Sequence, residues 1–322
     1  MTRRREQLAW LALGAGVLTT VSPWIGRVRW SGLTAIRSLM PWAALSAAPL
    51  AVRAAATGHR RLGLAAGAVG AAGVAMAAPL VVRRQQPPVD PAAQPLSIVH
   101  ANLLYINRRV ADVPEAIAKF GPDLVTFSEL TPTHAAKLRA SKEAANYPYR
   151  IELPARHGSG TGLWSRFPVT ERVTTRTKHH TVVADVAAPG GTVRVIVVHT
   201  QSPIDHHHQW ESDLDRLGAL VVDQPAVMTG DFNAGWWHPE FRSLLRRGGW
   251  RDAHISVGRG LSCSWPTDQW HVVFRWHPPF VRLDHALAND GLAVLSTVDF
   301  DIPGSDHRGM MVTVQRAARA AP

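Results

Sequence analysis

The hydrophobic pattern divides the chain into an apolar N-terminal part and a longer part of alternating character. Three apolar stretches cover positions 8–26, 30–52 and 62–82, and the first and third carry no charged residue. A helix of about 20 apolar residues is long enough to cross the hydrocarbon of a bilayer. The pattern therefore predicts a transmembrane helical region over residues 1–84, although Arg37, Pro41 and Pro49 interrupt its middle stretch.

A proline-rich segment follows this region, and the pattern changes after it. Four prolines in residues 85–95 disfavour regular structure and predict an extended linker. Short apolar runs bounded by turn residues then predict strands at 96–100, 124–128, 162–165, 181–186, 193–199, 226–229, 285–288 and 310–314. Helical periodicity lies between them at 110–120, 133–145, 207–222 and 239–247. Residues 96–322 are therefore predicted to form one α/β domain of mixed layers, with its sheets covered on both faces.

The net charge of +11 belongs mostly to the N-terminal part. Residues 1–95 hold 11 arginines against Glu6 and Asp90, so they carry +9 and leave +2 for residues 96–322. Because DNA affinity is dominated by phosphate neutralisation, this nearly neutral domain is not typical of a tight DNA binder. The single cysteine, Cys263, excludes an intramolecular disulfide and a cysteine-rich zinc site.

Arginine clusters indicate how the apolar stretches are oriented. The clusters at 3–5 and at positions 53, 60 and 61 are both placed in the cytoplasm if there are three spans, which sends residues 83 onward outside. Four arginines, at positions 27, 29, 83 and 84, then lie on the opposite side. The alternative is that residues 1–26 are a cleaved signal peptide. The two further apolar stretches that follow argue against this alternative. We therefore expect a multi-pass protein of the cell membrane with an extracytoplasmic domain.

Polar side chains stand where the predicted core strands end, which is how sites are commonly built on a rigid scaffold. These side chains are Asn102, Glu129, His199, Asp231, Asn233, Asp284, Asp306 and His307. Several belong to short motifs, namely Ser128-Glu129-Leu130, Gly230-Asp231-Phe232-Asn233, Arg282-Leu283-Asp284-His285 and Ser305-Asp306-His307. Each motif alone is unspecific, but six elements in one order are specific.

Taken in that order, the motifs resemble the endonuclease/exonuclease/phosphatase superfamily over roughly residues 96–315. Its members include pancreatic-type deoxyribonucleases, abasic-site endonucleases, inositol-polyphosphate 5-phosphatases and neutral sphingomyelinases. The resemblance implies a four-layered α/β sandwich of two mixed sheets flanked by helices. Two positions depart from the family pattern: Ser128 stands where glutamine is usual, and Arg308-Gly309 stand where a proline commonly follows.

The resemblance also implies a divalent metal, Mg²⁺ or Mn²⁺. Hard ions of this kind prefer carboxylate oxygens and retained waters. Glu129 is the leading ligand candidate, and the resemblance places Asn102 and Asp306 beside it. A bound metal polarises the phosphate and stabilises the leaving group.

Five further residues are candidates for catalysis. His307 and Asp284 are expected to pair, because a carboxylate that accepts from one imidazole nitrogen raises the basicity of the other. Asp231 and Asn233, two positions apart, are expected to point to one side of an extended segment. His199 is expected to bind phosphate or act as general acid. Whether Asp231 or His307 is the general base stays open.

The predicted function is hydrolysis of a phosphodiester by a membrane-anchored, metal-dependent enzyme. The substrate is DNA or a phospholipid head group, and the sequence indicates no protein partner. Two alternatives remain, a phosphomonoesterase of the same family and a catalytically silent membrane scaffold.

Two other groupings are less informative. The run at 206–208 is three adjacent histidines, which on a helix point in different directions and so favour a polar helix start over a metal site. The tryptophans at 236, 237, 265, 270 and 276 could line a cleft, enter a membrane interface or pack in the core.

Overall fold

The computed structural model describes residues 3–28, 30–176, 179–267 and 278–318. Trp270 and Trp276 lie outside these residues. Twelve strands form two six-stranded sheets within the described ranges. They are β1 (Leu96–Asn102), β2 (Leu124–Ser128), β3 (Tyr149–Leu153), β4 (Thr161–Ser165), β5 (Val169–Arg176), β6 (His180–Ala188), β7 (Gly191–His199), β8 (Ala226–Asp231), β9 (Arg251–Asp252), β10 (Asp284–Ala288), β11 (Leu292–Asp301) and β12 (Arg308–Arg316).

Both sheets are mixed, as predicted. The first has the order β11-β12-β1-β2-β4-β3 and the second β5-β6-β7-β8-β10-β9. Each contains one parallel pair at its centre, β1 with β2 and β7 with β8, and the other pairings are antiparallel. All eight predicted strands are present. The four that the pattern missed, β3, β5, β9 and β11, are the four edge strands.

Helices cover the outer faces of the two sheets. The nine described α-helices are α1 (Arg3–Val21), α2 (Ser31–Ser38), α3 (Met40–Ala56), α4 (Arg60–Val81), α5 (Val113–Ala118), α6 (Pro132–Arg139), α7 (Pro203–Gly218), α8 (Pro239–Gly248) and α9 (Ala253–Ser256). Helices α5 and α6 pack on the first sheet, and α7 and α8 on the second. Between the sheets lies a dry core of aliphatic side chains such as Ile98, Val195 and Val312. The result is a four-layered α/β sandwich, as expected.

The N-terminal helices differ from the prediction in two respects. The predicted span at 30–52 is broken at Leu39 into α2 and α3, which are bent by 60°. Pro41 lies in the first turn of α3, where a proline is tolerated, whereas inside a continuous helix it would remove a hydrogen bond and clash. The other two predicted spans are helical, as α1 and α4, but α1 is not apolar enough over its length to count as a candidate span.

One helix of the described part, α4, is long and apolar enough to cross a membrane, with a mean hydropathy of 1.9 in its best window. The bent pair α2–α3 passes the same test when taken together. Only 17% of the α4 window is buried, whereas a core helix of a soluble protein is mostly buried.

The proline-rich segment 85–95 contains a turn at 90–93 and lies along the domain. The backbone N–H of Asp90 donates to the Arg316 carbonyl at 2.9 Å. The Gln86 side chain contacts the Arg251 guanidinium at 2.9 Å and the Val294 N–H at 3.0 Å. These contacts hold the α/β domain against the end of α4 and restrict its movement relative to that helix.

Candidate active site

The candidate residues meet at one edge of the sandwich because of strand register. In the first sheet, Asn102 at the end of β1 lies beside Ser128 at the end of the parallel strand β2. In the second, His199 at the end of β7 lies beside Asp231 at the end of β8. Carboxyl ends of parallel strands share an edge, and both parallel pairs open to the same cleft.

Asp284 and His307 form the predicted pair. His307 Nδ1 lies 2.8 Å from Asp284 Oδ2, and both side chains are buried. Burial alone would lower the pKa of the His307 imidazole, but the carboxylates of Asp284 and Asp306 raise it well above its usual value. Burial alone would raise the pKa of Asp284, but the charge and hydrogen bond of His307 lower it to about 2. The pair is therefore an imidazolium beside a carboxylate at neutral pH.

Asp231 lies at the centre of the cluster. Its Oδ2 accepts from Asn102 Nδ2 at 3.1 Å and lies 3.7 Å from His199 Nε2 and 3.9 Å from His307 Nε2. Burial raises the pKa of the Asp231 carboxyl to about 8, although the charge of His307 opposes this. A carboxyl whose pKa is moved toward neutrality is suited to proton transfer.

Glu129 stands on the first-sheet side of the cleft. It has a φ of +59°, a left-handed conformation that is uncommon for a residue other than glycine and often marks a functional position. Its Oε1 accepts from Asn102 Nδ2 at 3.2 Å and its Oε2 from the Tyr105 N–H at 2.8 Å. Burial raises the pKa of Glu129, and the nearby charge of Asp306 adds to this effect.

These residues fit a divalent cation. Asp306 Oδ2 accepts from Trp265 Nε1 at 3.1 Å, while its Oδ1 is buried and has no hydrogen-bond partner among the described residues. A buried carboxylate oxygen without a hydrogen-bond partner, near a second carboxylate, that of Glu129, is a costly arrangement that a hard cation relieves. Asn102 turns its amide nitrogen toward Glu129 while its oxygen accepts from the Leu104 N–H at 3.0 Å, so in this arrangement it orients Glu129.

A second group of possible ligands lies a few ångströms away. Among the described residues, Asp231, Asp284 and His307 form a cluster whose ligand atoms all lie within 4.8 Å of one another. The sequence prediction assigned these three residues to proton transfer, and the Asp284–His307 hydrogen bond agrees with that assignment.

His199 and Asn233 take up positions beside Asp231. Burial, followed by the nearby His179, lowers the pKa of His199 well below its usual value, so the ring is neutral. The expectation of an extended segment from Asp231 to Asn233 is wrong. Asn233 has a φ of +46°, and its N–H donates back to Asp231 Oδ1 at 2.8 Å, which closes a turn. The Asn233 amide donates to the Thr200 carbonyl at 3.0 Å.

The structure adds residues that the sequence did not single out as functional. His179 stacks on His199 with 4.2 Å between ring centroids, and its Nε2 lies 3.0 Å from Gln201 Oε1. His100 Nε2 lies 3.6 Å from Asp284 Oδ1 on the side away from His307. Both depend on contacts between distant strands, so no local pattern could have revealed them. Trp265 was among the tryptophans that could line a cleft, but its hydrogen bond to Asp306 was not predicted.

The histidine run lies near the start of α7, as expected, and each residue has a different environment. The helix begins at Pro203 with the Ser202 hydroxyl as its cap, and His206 departs from helical geometry. His207 is buried, with Nε2 3.0 Å from Thr34 Oγ1, while His206 and His208 are exposed. Of the tryptophans within the described ranges, Trp237 is buried against α4 and Trp236 packs beside it.

Solved structures share this fold. TDP2 of D. rerio, complexed with a single strand DNA product, superposes with a TM-score of 0.56 at 19% identity, covering 69% of this chain and 99% of that chain. TDP2 of C. elegans gives 0.56 at 16% identity, covering 69% and 74%. An endonuclease/exonuclease/phosphatase from Beutenbergia cavernae gives 0.52 at 18% identity, covering 70% and 72%. At such identities the likeness shows the fold alone.

The sequence itself identifies the family. No curated protein matches the chain. The profile described as Endonuclease/Exonuclease/phosphatase family matches residues 99–307, which is more than half of the chain and holds all eight candidate residues. The chain belongs to the endonuclease/exonuclease/phosphatase family.

Proposed function

We propose that the chain is a membrane-anchored phosphodiester hydrolase that depends on Mg²⁺ or Mn²⁺. The observation that carries this proposal is the cluster of Asp231, Asp284 and His307 beside the half-buried Glu129 and the buried Asp306. It combines a proton acceptor, a fixed imidazolium and an oxygen-donor site within one cleft. These are the parts that hydrolysis of a phosphoester requires.

Within this proposal each residue of the site has a separate role in hydrolysis. When ionised, Asp231 takes a proton from the attacking water through Oδ2; because burial raises its pKa to about 8, this carboxyl is largely protonated at pH 7 and is fully available as a base only above pH 8. The His307 imidazolium donates from Nε2 to a phosphoryl oxygen, held in place by Asp284. Asn233 and His199 contact further phosphate oxygens. A divalent cation held by Glu129 and Asp306, with Asn102 as third candidate ligand, supplies positive charge to the phosphoryl group when bound.

Three features support a membrane anchor with three crossings, formed by α1, α3 and α4. Glu6 near the start of α1 meets His59 in the loop between α3 and α4 at 3.6 Å. At the other end of the bundle, Arg27 pairs with Asp215 at 2.6 Å, and the Arg84 N–H donates to the Ser256 carbonyl at 3.0 Å. The catalytic domain therefore lies at one end of the helix bundle, and we propose from the arginine bias that this end is extracytoplasmic.

The same contacts explain arginines that oppose the predicted orientation. Arg27 is engaged by Asp215, Arg83 donates to the Leu295 carbonyl at 3.2 Å, and Arg84 lies 5.9 Å from the Trp236 ring. Since these groups serve domain docking, they weigh less in the charge bias than the free cluster at the other end.

The substrate is a phosphodiester of a nucleic acid strand or of a membrane lipid. The D. rerio TDP2 complex with a single strand DNA product favours the first. The second is favoured by the position of α3, because Trp42 Nε1 donates to the Phe280 carbonyl at 2.7 Å, four residues before Asp284. Docking at this place brings the cleft close to the proposed bilayer surface.

The test uses the full chain in detergent micelles. Hydrolysis with Mg²⁺ and with Mn²⁺ is measured on single-stranded DNA, plasmid DNA, RNA, sphingomyelin, phosphoinositides, a chromogenic diester and the matching monoester. Glu129→Ala and His307→Ala should abolish turnover, as should EDTA. The exposed residues Glu115 and His208 supply matched controls, Glu115→Ala and His208→Ala, which should retain it.

Each outcome is informative. A higher rate on the monoester would replace the diesterase by a phosphomonoesterase. Folded protein without turnover on any of these substrates would contradict the proposal and favour a silent scaffold.

A further inference from the structure

We propose that α2 of the N-terminal region affects turnover by holding the catalytic site in position. His238 is the positioning residue that connects α2 to that site. The inference goes beyond anchoring, because it assigns this helix a direct effect on turnover. It rests on the proposed function only for its kinetic readout, since the contacts themselves are independent of the substrate.

His238 joins α2 to the loop that follows Asp231. It is 2% exposed, and its Nδ1 accepts from the Gly235 N–H at 2.9 Å. An imidazole nitrogen that accepts from a backbone N–H carries no proton, so the proton of the neutral ring is on Nε2. Nε2 lies 3.0 Å from the Thr34 carbonyl and 3.3 Å from Ser38 Oγ, both in α2. The ring therefore has one defined tautomer. Its Nδ1 binds the loop after Asp231 and its Nε2 binds α2, and we call this contact between the loop and α2 the junction.

The loop held by His238 is in contact with both catalytic segments of the second sheet. Gly235 comes two residues after Asn233, and a Cβ added to it would lie 2.7 Å from the Arg282 carbonyl oxygen. The neighbouring Ala234 carbonyl lies 2.9 Å from Nε2 of His285. His285 adjoins Asp284 in the chain, so a shift of this loop would reach Asn233 and Asp284 together.

Buried polar contacts fix α2 from its other side. Arg37 is fully buried, donates from Nε to the Ser22 carbonyl at 3.1 Å and lies 3.8 Å from Glu240 Oε1. Thr34 Oγ1 meets His207 at 3.0 Å. An anchor that only tethered the domain would need none of these, since α4 and the linker already attach it. The buried polar face of α2 therefore specifies one position of the helix relative to the catalytic loop.

Two substitutions of His238 separate the two sides of the junction. In His238→Asn the shorter amide can still accept from the Gly235 N–H but cannot reach α2. In His238→Gln the longer amide can still donate to the Thr34 carbonyl but loses the acceptor at the position of Nδ1. Arg27→Gln is the matched control, because it removes an ion pair with Asp215, also between the N-terminal region and the domain, that has no contact with the loop.

The expected result in the full chain in micelles is a fall in kcat of about tenfold for both His238 variants, which is the effect of losing one buried hydrogen bond. KM should change less than twofold, and Ser38→Ala should lower kcat about threefold because it removes the weaker contact. Arg27→Gln should keep the wild-type kcat. A His238→Asn variant with wild-type kcat would overturn the proposal, because the loop bond alone would then suffice.

Amide hydrogen exchange of residues 232–238 supplies a readout that needs no substrate. Faster exchange there in both His238 variants, but not in Arg27→Gln, is expected. Unchanged exchange in both would overturn the positioning role even if the wild-type protein proved inactive. Faster exchange together with an inactive wild type would contradict the proposed hydrolase and leave the junction supported.

Discussion

The two sheets end at the same cleft but bring different chemistry to it. In the first sheet, the parallel pair β1–β2 ends in Asn102 and Glu129, which offer oxygen donors around a left-handed turn. In the second, the parallel pair β7–β8 ends in His199 and Asp231, whose pKa values are moved in opposite directions. The proposed function assigns charge neutralisation to these positions in the first sheet and proton transfer to the equivalent positions in the second.

The segment before β12 joins the two halves. Asp306 faces Glu129, while His307 faces Asp284 and Asp231. Ser305 fixes this segment, since its hydroxyl donates to the Asn102 carbonyl at 2.7 Å and accepts from the His307 N–H at 3.1 Å. We therefore predict that metal affinity depends on Glu129, beside the first sheet. Proton transfer is expected to depend on the residues at the end of the second sheet.

The largest effect is expected at Glu129. Glu129→Gln keeps the size of the side chain but removes its charge, so Mn²⁺ affinity and hydrolysis should fall together, hydrolysis by roughly 10³-fold or more. Mn²⁺ binding is measured by titration, from the electron paramagnetic resonance signal of the free ion. This readout is independent of turnover. Retained Mn²⁺ affinity would show that Glu129 is not a metal ligand.

Asp284→Asn should give a smaller loss, about 10²- to 10³-fold in kcat, because it removes the acceptor that orients His307 while leaving the imidazole present. Mn²⁺ affinity should remain within a few-fold of wild type, unlike in Glu129→Gln. A collapse of Mn²⁺ affinity would contradict the division between the sheets. It would instead identify Asp231, Asp284 and His307 as a metal centre.

The fold was predictable where strands are buried on both faces. Central strands such as β2 and β7 are rich in buried apolar residues, and the sequence located them closely. The four missed strands lie at sheet edges, where one side of the ladder is unpaired and polar residues are tolerated. In β5, for example, Glu171 and Arg172 interrupt the apolar pattern.

The site was predictable from motif order, but its connections were not. Each motif lies at a strand end, so the sequence could identify Asp284 and His307 as partners. The stacking of His179 on His199 and the link from His238 to α2 join residues that are distant in the chain. Arg37 looked like a defect in a membrane span, and only the bend at Leu39 shows that it faces Glu240.

Acid should destabilise the fold through contacts that cross between the sheets. His254 Nε2 lies 3.0 Å from Asp299 of the first sheet, and its Nδ1 lies 3.3 Å from Arg282, beside the second. Burial lowers the pKa of His254 from 6.5 to about 4, with Arg282 adding to the shift. Between these values the unfolded chain binds more protons than the folded chain, so stability is full above pH 6.5 and falls as pH drops toward 4.

The expected loss from His254 is on the order of 3 kcal/mol across that range. It is measured by chemical denaturation of the full chain in micelles at several pH values. His254→Gln should lower stability at pH 7 and flatten the dependence between pH 6.5 and 4. An unchanged slope in the variant would assign the acid sensitivity to other groups.

The smallest effect is expected where the two sheets touch directly beneath the cleft. Ser128 of β2 donates to the Val198 carbonyl of β7 at 3.4 Å, a long hydrogen bond between fully buried groups. Its loss in Ser128→Ala should cost less than about 1 kcal/mol and leave kcat within twofold. Thr229→Val is the matched control, because the Thr229 hydroxyl is buried without a hydrogen-bond partner in the described part of the chain and its removal should be neutral or stabilising. A tenfold fall in kcat for Ser128→Ala alone would show that this contact sets the distance between Glu129 and Asp231, so that the two halves of the site would be mechanically coupled through the core.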